Sequence, residues 1–107
     1  NPVEVAAFEI NDNGDKRYFV QPWEHNEIDV SYNDINNIPN YGADKVVRQY
    51  HTHPNSSPPS MDDAKASSYW GVPVHTIGAN GNMWQVSYPK GYMVPIRKFI
   101  PYGKQIH

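Results

Sequence analysis

The sequence has no cysteine among its 107 residues. This absence excludes disulfide bonds, thiolate zinc sites and cysteine nucleophiles, so any metal site must use histidine and carboxylate ligands. The sequence also lacks a large excess of positive or negative residues, because nine basic and eleven acidic residues give a net charge of −2. That balance is unlike the strongly basic composition of nucleic-acid-binding proteins, and we expect no nucleic-acid partner.

Long hydrophobic runs are missing as well. No stretch of about eighteen apolar residues occurs, so we expect no membrane span, no signal peptide and no membrane partner. The length fits one domain over residues 1–107. Because the chain begins with Asn1 rather than Met, we expect a piece of a longer polypeptide, with a start chosen for recombinant expression as the alternative.

Turn-forming residues divide the chain into short β-favouring runs and one helical segment. Ser60–Trp70 is predicted to be a helix, with Ser60 as its N-cap and Gly71 just past its end. A shorter helix is predicted near Asn33–Asn37. Strands are predicted over Glu4–Ile10, Lys16–Val20, Lys45–His53, Val72–Gly78 and Asn82–Tyr88, with one more near Tyr92–Phe99. The fold class is therefore α/β, with a mixed, mostly antiparallel sheet packed with one or two helices.

The strand Lys45–His53 ends in a His-x-His pair. Residues two apart on a strand face the same side, so His51 and His53 can direct two imidazoles into one space. Asp63 begins the following helix, and the proline-stiffened loop between them can fold that helix start over the strand. Two histidines and one aspartate, with a fourth position left to water, are typical of catalytic zinc.

A zinc ion at this place would lower the pKa of its water towards neutrality and polarise a substrate carbonyl. The chemistry also needs a proton shuttle, which Glu4 on a neighbouring strand could provide. Ser60 could donate a hydrogen bond to the oxyanion. Glu9 is the alternative to Glu4, but the two lie five residues apart and face opposite sides of a regular strand, and we expect Glu9 to face solvent.

These residues match a known pattern. The runs His51–Pro54 and Ser60–Asp63, with Glu4 upstream, resemble the JAMM motif of JAB1/MPN-domain metallopeptidases. That family's pattern is an upstream glutamate, then His-x-His, then Ser-x-x-Asp. The resemblance implies a cytidine-deaminase-like fold and a zinc-dependent hydrolase that cleaves peptide or isopeptide amide bonds.

The resemblance also implies a role for each residue of the motif. His51, His53 and Asp63 would bind zinc, Glu4 would act as general acid/base, and Ser60 would support the oxyanion. Nine residues separate His53 from Asp63, one fewer than the family's usual ten, so Asp62 is an alternative ligand. The intact Ser60-to-Asp63 spacing favours Asp63.

The chain is too short for the insertions with which eukaryotic deubiquitinating members grip ubiquitin. It resembles instead the compact bacterial and phage domains, including toxin domains at the C-termini of large secreted proteins. That likeness implies a peptide or protein substrate, an inhibitory or immunity partner, and secretion as part of a larger protein.

Simpler interpretations exist for the same residues. Ser60 and Asp63 also fit a helix capping box, which is compatible with a metal site. A non-catalytic MPN-like protein-interaction module is the alternative function. His75, on a predicted strand, is expected to be a hydrogen-bonded core histidine or one that supports the metal site.

Overall fold

Six strands and one α-helix form within residues 5–20 and 35–107, the parts of the chain that the computed structural model describes. In chain order the elements are β1 (Ala6–Asp12), β2 (Asp15–Val20), two 3-10 turns (Ile35–Asn37 and Ala43–Lys45), β3 (Val46–His53), α1 (Met61–Trp70), β4 (Val74–Gly78), β5 (Met83–Val86) and β6 (Lys104–Gln105). The order across the sheet is β2-β1-β3-β4-β5-β6. Among these six described strands, β3 and β4 are the one pair that is parallel, and the other pairs are antiparallel. The predicted α/β class and mixed sheet are confirmed.

The first two predicted strands correspond to β1 and β2, which form an antiparallel hairpin. Its two turn residues, Asn13 and Gly14, have φ angles of 51° and 96°. Positive φ at both central residues suits the right-handed twist of the flanking strands. The Asn11 side chain closes the turn by accepting a hydrogen bond from the Gly14 N–H at 2.8 Å.

Helix α1 connects the parallel strands β3 and β4, and its predicted ends are confirmed. Ser60 is the N-cap, and Gly71 ends the helix with a left-handed φ of 73°. The Ser60 hydroxyl accepts a hydrogen bond from the Asp63 N–H, and the Asp63 carboxylate accepts one from the Ser60 N–H. This capping box fixes Asp63 at the start of the helix.

The core lies between the sheet and α1. One buried cluster contains Phe8, Ile10, Ile35, Ile38 and Val46, and a second contains Ala64, Val74, Val86 and Tyr102. Trp70, the last residue of α1, packs against both clusters and meets the Phe8 ring edge-on at 5.4 Å. Burial of these side chains holds the helix against the sheet, which positions the residues at its start.

Two predicted elements differ from the structure. No strand forms at Tyr92–Phe99, where Pro95 has no N–H to donate and Phe99 has a left-handed φ of 69°. The last strand is instead β6, which pairs with β5. The helix expected near Asn33–Asn37 is a single 3-10 turn at Ile35–Asn37 in its described part. Among the described residues, no helix has the length and apolarity required to cross a membrane.

Candidate metal centre

The side chains of β3 alternate between the two faces of the sheet. His51 and His53 contact Asp63 of α1 and therefore face the helix. Arg48 and Tyr50 contact Glu9 of β1 on the opposite face. The two imidazoles and the Asp63 carboxylate thus converge, as the His-x-His spacing predicted.

The donor atoms of this group lie close together. The two Nε2 atoms of His51 and His53 are 3.0 Å apart. The Asp63 carboxylate lies 2.9 Å from Nε2 of His51 through Oδ1 and 3.2 Å from Nε2 of His53 through Oδ2. All three side chains are nearly buried, the two imidazoles being 7% exposed and the carboxylate 11%.

The other nitrogen of each imidazole is held by a hydrogen-bond acceptor. Nδ1 of His53 lies 2.8 Å from the backbone carbonyl oxygen of Ser57, and Nδ1 of His51 lies 3.0 Å from Oε1 of Gln49. A carbonyl oxygen can only accept, so each Nδ1 carries a hydrogen and each neutral ring has its lone pair on Nε2. Both lone pairs therefore point into the space beside Asp63.

The charge at Asp63 is stabilised despite its burial. Burial opposes ionisation, but hydrogen bonds from His51 and His53, the positive charge of His51 when its ring is protonated, and the Ser60 N–H together hold the pKa of the Asp63 carboxyl well below its usual range. Asp63 is consequently an anion at neutral pH. A full negative charge beside two imidazole Nε2 atoms attracts a cation, which is either a proton on a ring or a metal ion that replaces it.

The arrangement can hold a metal ion. Zn–N distances of 2.0–2.1 Å place the donor atoms of a tetrahedral site roughly 3.3 Å apart, and the observed separations of 2.9–3.2 Å are close to this value. Within residues 5–20 and 35–107, no further histidine or acidic side chain joins the group. Three protein ligands with an open fourth position characterise catalytic rather than structural zinc sites.

The other predicted site residues have different positions. Asp62, the alternative ligand, is exposed, whereas Asp63 is buried beside the histidines. The Ser60 hydroxyl lies next to the group and donates to Asp63 Oδ2 at 3.1 Å. Glu4 lies outside the described residues.

The expectation that Glu9 faces solvent is wrong. Glu9 is buried, accepts a hydrogen bond from the Tyr50 hydroxyl at 3.1 Å, and lies 3.7 Å from Nε of Arg48. These partners occupy the sheet face opposite His51, so Glu9 does not face the metal centre. The antiparallel register that pairs Glu9 with Arg48 explains the burial of this carboxylate.

His75 also differs from its prediction. Its ring is buried on the Glu9 side of the sheet, 5.0 Å from the Tyr50 ring, and in the described part of the chain neither ring nitrogen has a hydrogen-bond partner. It is a core histidine, as one of the two expectations had it, but it makes no hydrogen bond with another described residue and does not contact the metal ligands.

Two residues of the centre were not predicted to hold the imidazoles, although Ser57 was expected to border the cleft or to form a turn. Gln49 and Ser57 hold the imidazoles, and strand alternation could have indicated Gln49, which lies two residues before His51. Ser57 acts through its backbone carbonyl, and its hydroxyl also lies 3.2 Å from Nδ1 of His53.

Three comparisons with known proteins found no relative of this chain. No family model, no curated protein and no solved structure matches the chain. The interpretation of the centre therefore depends on its own geometry and on the motif that its residues form.

Proposed function

We propose that this chain is a zinc-dependent hydrolase that cleaves peptide or isopeptide amide bonds with a metal-activated water. The observation that carries the proposal is the convergence of His51 Nε2, His53 Nε2 and the Asp63 carboxylate. A zinc ion with three protein ligands lowers the pKa of water towards neutrality and polarises a substrate carbonyl.

The donor set supports zinc as the metal. Imidazole nitrogen suits zinc, copper, iron and nickel better than the hard cations magnesium and calcium, which prefer oxygen ligands. Neutral histidines with their second nitrogen hydrogen-bonded to a carbonyl are the usual form of zinc ligands. Gln49 and Ser57 supply those carbonyl groups.

The residues around the centre have separate tasks in this proposal. Asp63 holds a negative charge at the helix start, and Gln49 and Ser57 orient the imidazoles. Ser60, whose hydroxyl donates to Asp63 Oδ2 in the structure, would turn that hydrogen to the oxyanion, and Glu4 would move the proton from water to the leaving amine. The roles of Ser60 and Glu4 come from the likeness of these residues to the JAMM motif.

The order of elements supports membership of the JAB1/MPN family, and with it a cytidine-deaminase-like arrangement. A hairpin precedes the strand with the His-x-His pair, the helix that follows carries the aspartate, and a parallel strand completes the unit. We therefore propose that the chain belongs to this family.

The experiment combines zinc content with cleavage of a peptide library. Protein purified without chelator is analysed by mass spectrometry for bound metal, and then incubated with peptides from a digested proteome. We expect about one zinc per chain and cleavage at internal amide bonds. His53→Ala loses both zinc and cleavage, Glu4→Gln keeps zinc and loses cleavage, and the control His107→Ala, at an exposed residue, keeps both.

Two results would contradict the proposal. A wild-type chain that takes up no zinc on titration excludes the metal centre. Full zinc occupancy with no cleavage of library peptides or of lysine-linked isopeptides favours the non-catalytic interaction module instead.

A further inference from the structure

The charges of this chain are segregated along its length. All eleven acidic residues lie before residue 64, whereas the last 44 residues carry five basic residues and no acidic one. The five are Lys65, Lys90, Arg97, Lys98 and Lys104. The overall net charge of −2 conceals this strongly basic C-terminal part.

Exposed apolar side chains are concentrated in the same part of the chain. Met93 is 89% exposed, Ile96 is 78% exposed and Phe99 is fully exposed, and Tyr92 and Ile100 of the same segment are exposed as well. Tyr69, on the outer side of α1, is also exposed. Exposed apolar groups that are grouped together, and surrounded by polar residues, mark interaction sites on soluble proteins.

We define the basic apolar face by the residues that combine these two properties: Lys65, Tyr69, Lys90, Tyr92, Met93 and Ile96–Ile100. Part of this face is concave. A groove of about 500 Å³ lies between α1 and the segment after β5, and Lys65, Tyr69, Lys90, Tyr92, Met93 and Val94 line most of it. The groove is open rather than enclosed, so it can receive side chains that protrude from the surface of a partner.

Hydrogen bonds hold the backbone of this face in place. The Gly91 N–H donates to the Ser68 carbonyl, and the Ser68 hydroxyl donates to the Tyr92 carbonyl. Further along, the buried Tyr102 hydroxyl accepts from the Arg97 N–H at 2.9 Å and donates to the Pro95 carbonyl at 2.6 Å. The exposed side chains are therefore presented by an ordered backbone, which lowers the entropy cost of binding.

We propose that the basic apolar face binds an acidic protein partner that inserts apolar side chains into the groove between Lys65 and Lys90. Aspartate and glutamate around those side chains would complement Lys90, Arg97 and Lys98, which increases association rate and selectivity. This inference concerns a surface separate from the metal centre, and it does not depend on the proposed hydrolysis.

Charge and shape favour this partner over two others. Two copies of the face cannot pair symmetrically without bringing like charges together. An anionic membrane would match the charge, but it has no side chain of defined shape to fill the concave groove. An acidic protein satisfies the charge, the exposed apolar groups and the groove together.

The experiment selects binders without assuming their sequence. A random 15-residue peptide display library is panned on the wild-type chain, and the selected peptides are synthesised and measured by fluorescence anisotropy. We expect peptides with net negative charge and at least one large apolar residue, bound more weakly at 500 mM than at 50 mM salt because screening increases.

Matched variants place the binding on the face. The double variant Lys90→Glu/Lys98→Glu is expected to lower the affinity for the peptides at least tenfold. The control Lys16→Glu/Lys45→Glu makes the same charge change at exposed residues elsewhere, and its affinity is expected to stay within twofold of wild type. Phe99→Ser weakens binding and Val20→Ser, at another exposed apolar residue, does not. Circular dichroism confirms that each variant is folded, and unchanged binding by His53→Ala separates this surface from a substrate site.

Other outcomes would overturn the proposal. A selection that yields no acidic binders, or binders equally weakened by both charge-reversal pairs, contradicts it. Retention of the wild type, but not Phe99→Ser, on phosphatidylserine-containing vesicles assigns the face to a membrane. Self-association in light scattering that Lys90→Glu/Lys98→Glu abolishes assigns it to a second copy.

Discussion

Nδ1 of His53 lies 2.8 Å from the carbonyl oxygen of Ser57, four residues further along the chain. This contact requires a hydrogen on Nδ1 and leaves the lone pair of the neutral ring on Nε2, the atom that faces Asp63. The loop after β3 therefore selects the tautomer that metal binding needs. The loop also connects to the helix that supplies the carboxylate, so one short segment prepares two of the three ligands.

Exchange of the neighbouring aspartates distinguishes the ligand from its alternative. Asp63→Asn removes the buried carboxylate charge, so we expect zinc affinity to fall by more than the roughly 10–100-fold loss typical of a supporting residue. Asp62→Asn removes an equal charge at an exposed position and is expected to leave affinity within twofold of wild type. Isothermal titration with zinc measures both. Equal losses in the two variants would contradict the assignment of Asp63.

Gln49 tests the support of the first histidine. Gln49→Leu removes the acceptor of the His51 Nδ1–H, so the ring loses its preferred orientation and tautomer. We expect zinc affinity to fall about 10–100-fold, as for other groups that orient metal ligands. The control is Gln85→Leu on β5. Competition with a fluorescent zinc chelator measures the affinities, and an unchanged value for Gln49→Leu would show that this contact does not position the ligand.

Ser60 contributes to stability through the capping box. Ser60→Ala removes the side-chain acceptor for the Asp63 N–H, which typically costs about 1 kcal/mol in the free energy of unfolding. Ser60→Thr keeps a hydroxyl acceptor and is expected to retain most of this contribution to the free energy of unfolding. Urea unfolding in the presence of a chelator measures this cost without a contribution from bound metal, and Ser87→Ala, at an exposed serine, is the control. A loss below about 0.5 kcal/mol would contradict the capping role, because neutral surface changes lie in that range.

Local pattern was sufficient for much of the metal centre. The same-side placement of His51 and His53 follows from the two-residue period of a strand, and the position of Asp63 follows from the capping signature that starts at Ser60. Both signals lie within a few residues of sequence. The structure brings the three donors together because α1 connects two adjacent strands and must begin near the end of β3.

Long-range pairing explains what the sequence could not predict. The sequence predicts that Glu9 lies at the surface, whereas the register of β1 with β3 places it beside Arg48. Strand β6 has two residues, too few to show an alternation of apolar and polar side chains. It is a strand because it pairs with β5. In each case the information lies in contacts between distant segments, which no local pattern contains.

His75 predicts a pH dependence of stability. Its ring lies against Tyr50 with Arg48 and Glu9 nearby, and Gln85 is its partner on β5. Burial first, and the positive charge of Arg48 second, lower the pKa of His75, while Glu9 opposes this shift. Above the unfolded pKa of about 6.5, His75 is neutral in both states and has no effect. Below it the unfolded chain binds the proton more readily, so stability falls as the pH decreases.

The substitution His75→Phe removes this titration and two buried ring nitrogens that have no hydrogen-bond partner within residues 5–20 and 35–107. We subtract the free energy of unfolding of wild type from that of the variant at each pH. This difference is expected to be larger at pH 5 than at pH 7.5, because only the wild type loses stability through protonation of His75. Urea unfolding at the two pH values measures the difference, and His75→Leu repeats it with a smaller side chain in case Phe is too large for the site. His107→Gln, at an exposed histidine, should give the same difference from wild type at both pH values. A pH-independent difference for both His75 variants would show that the buried ring does not control acid stability.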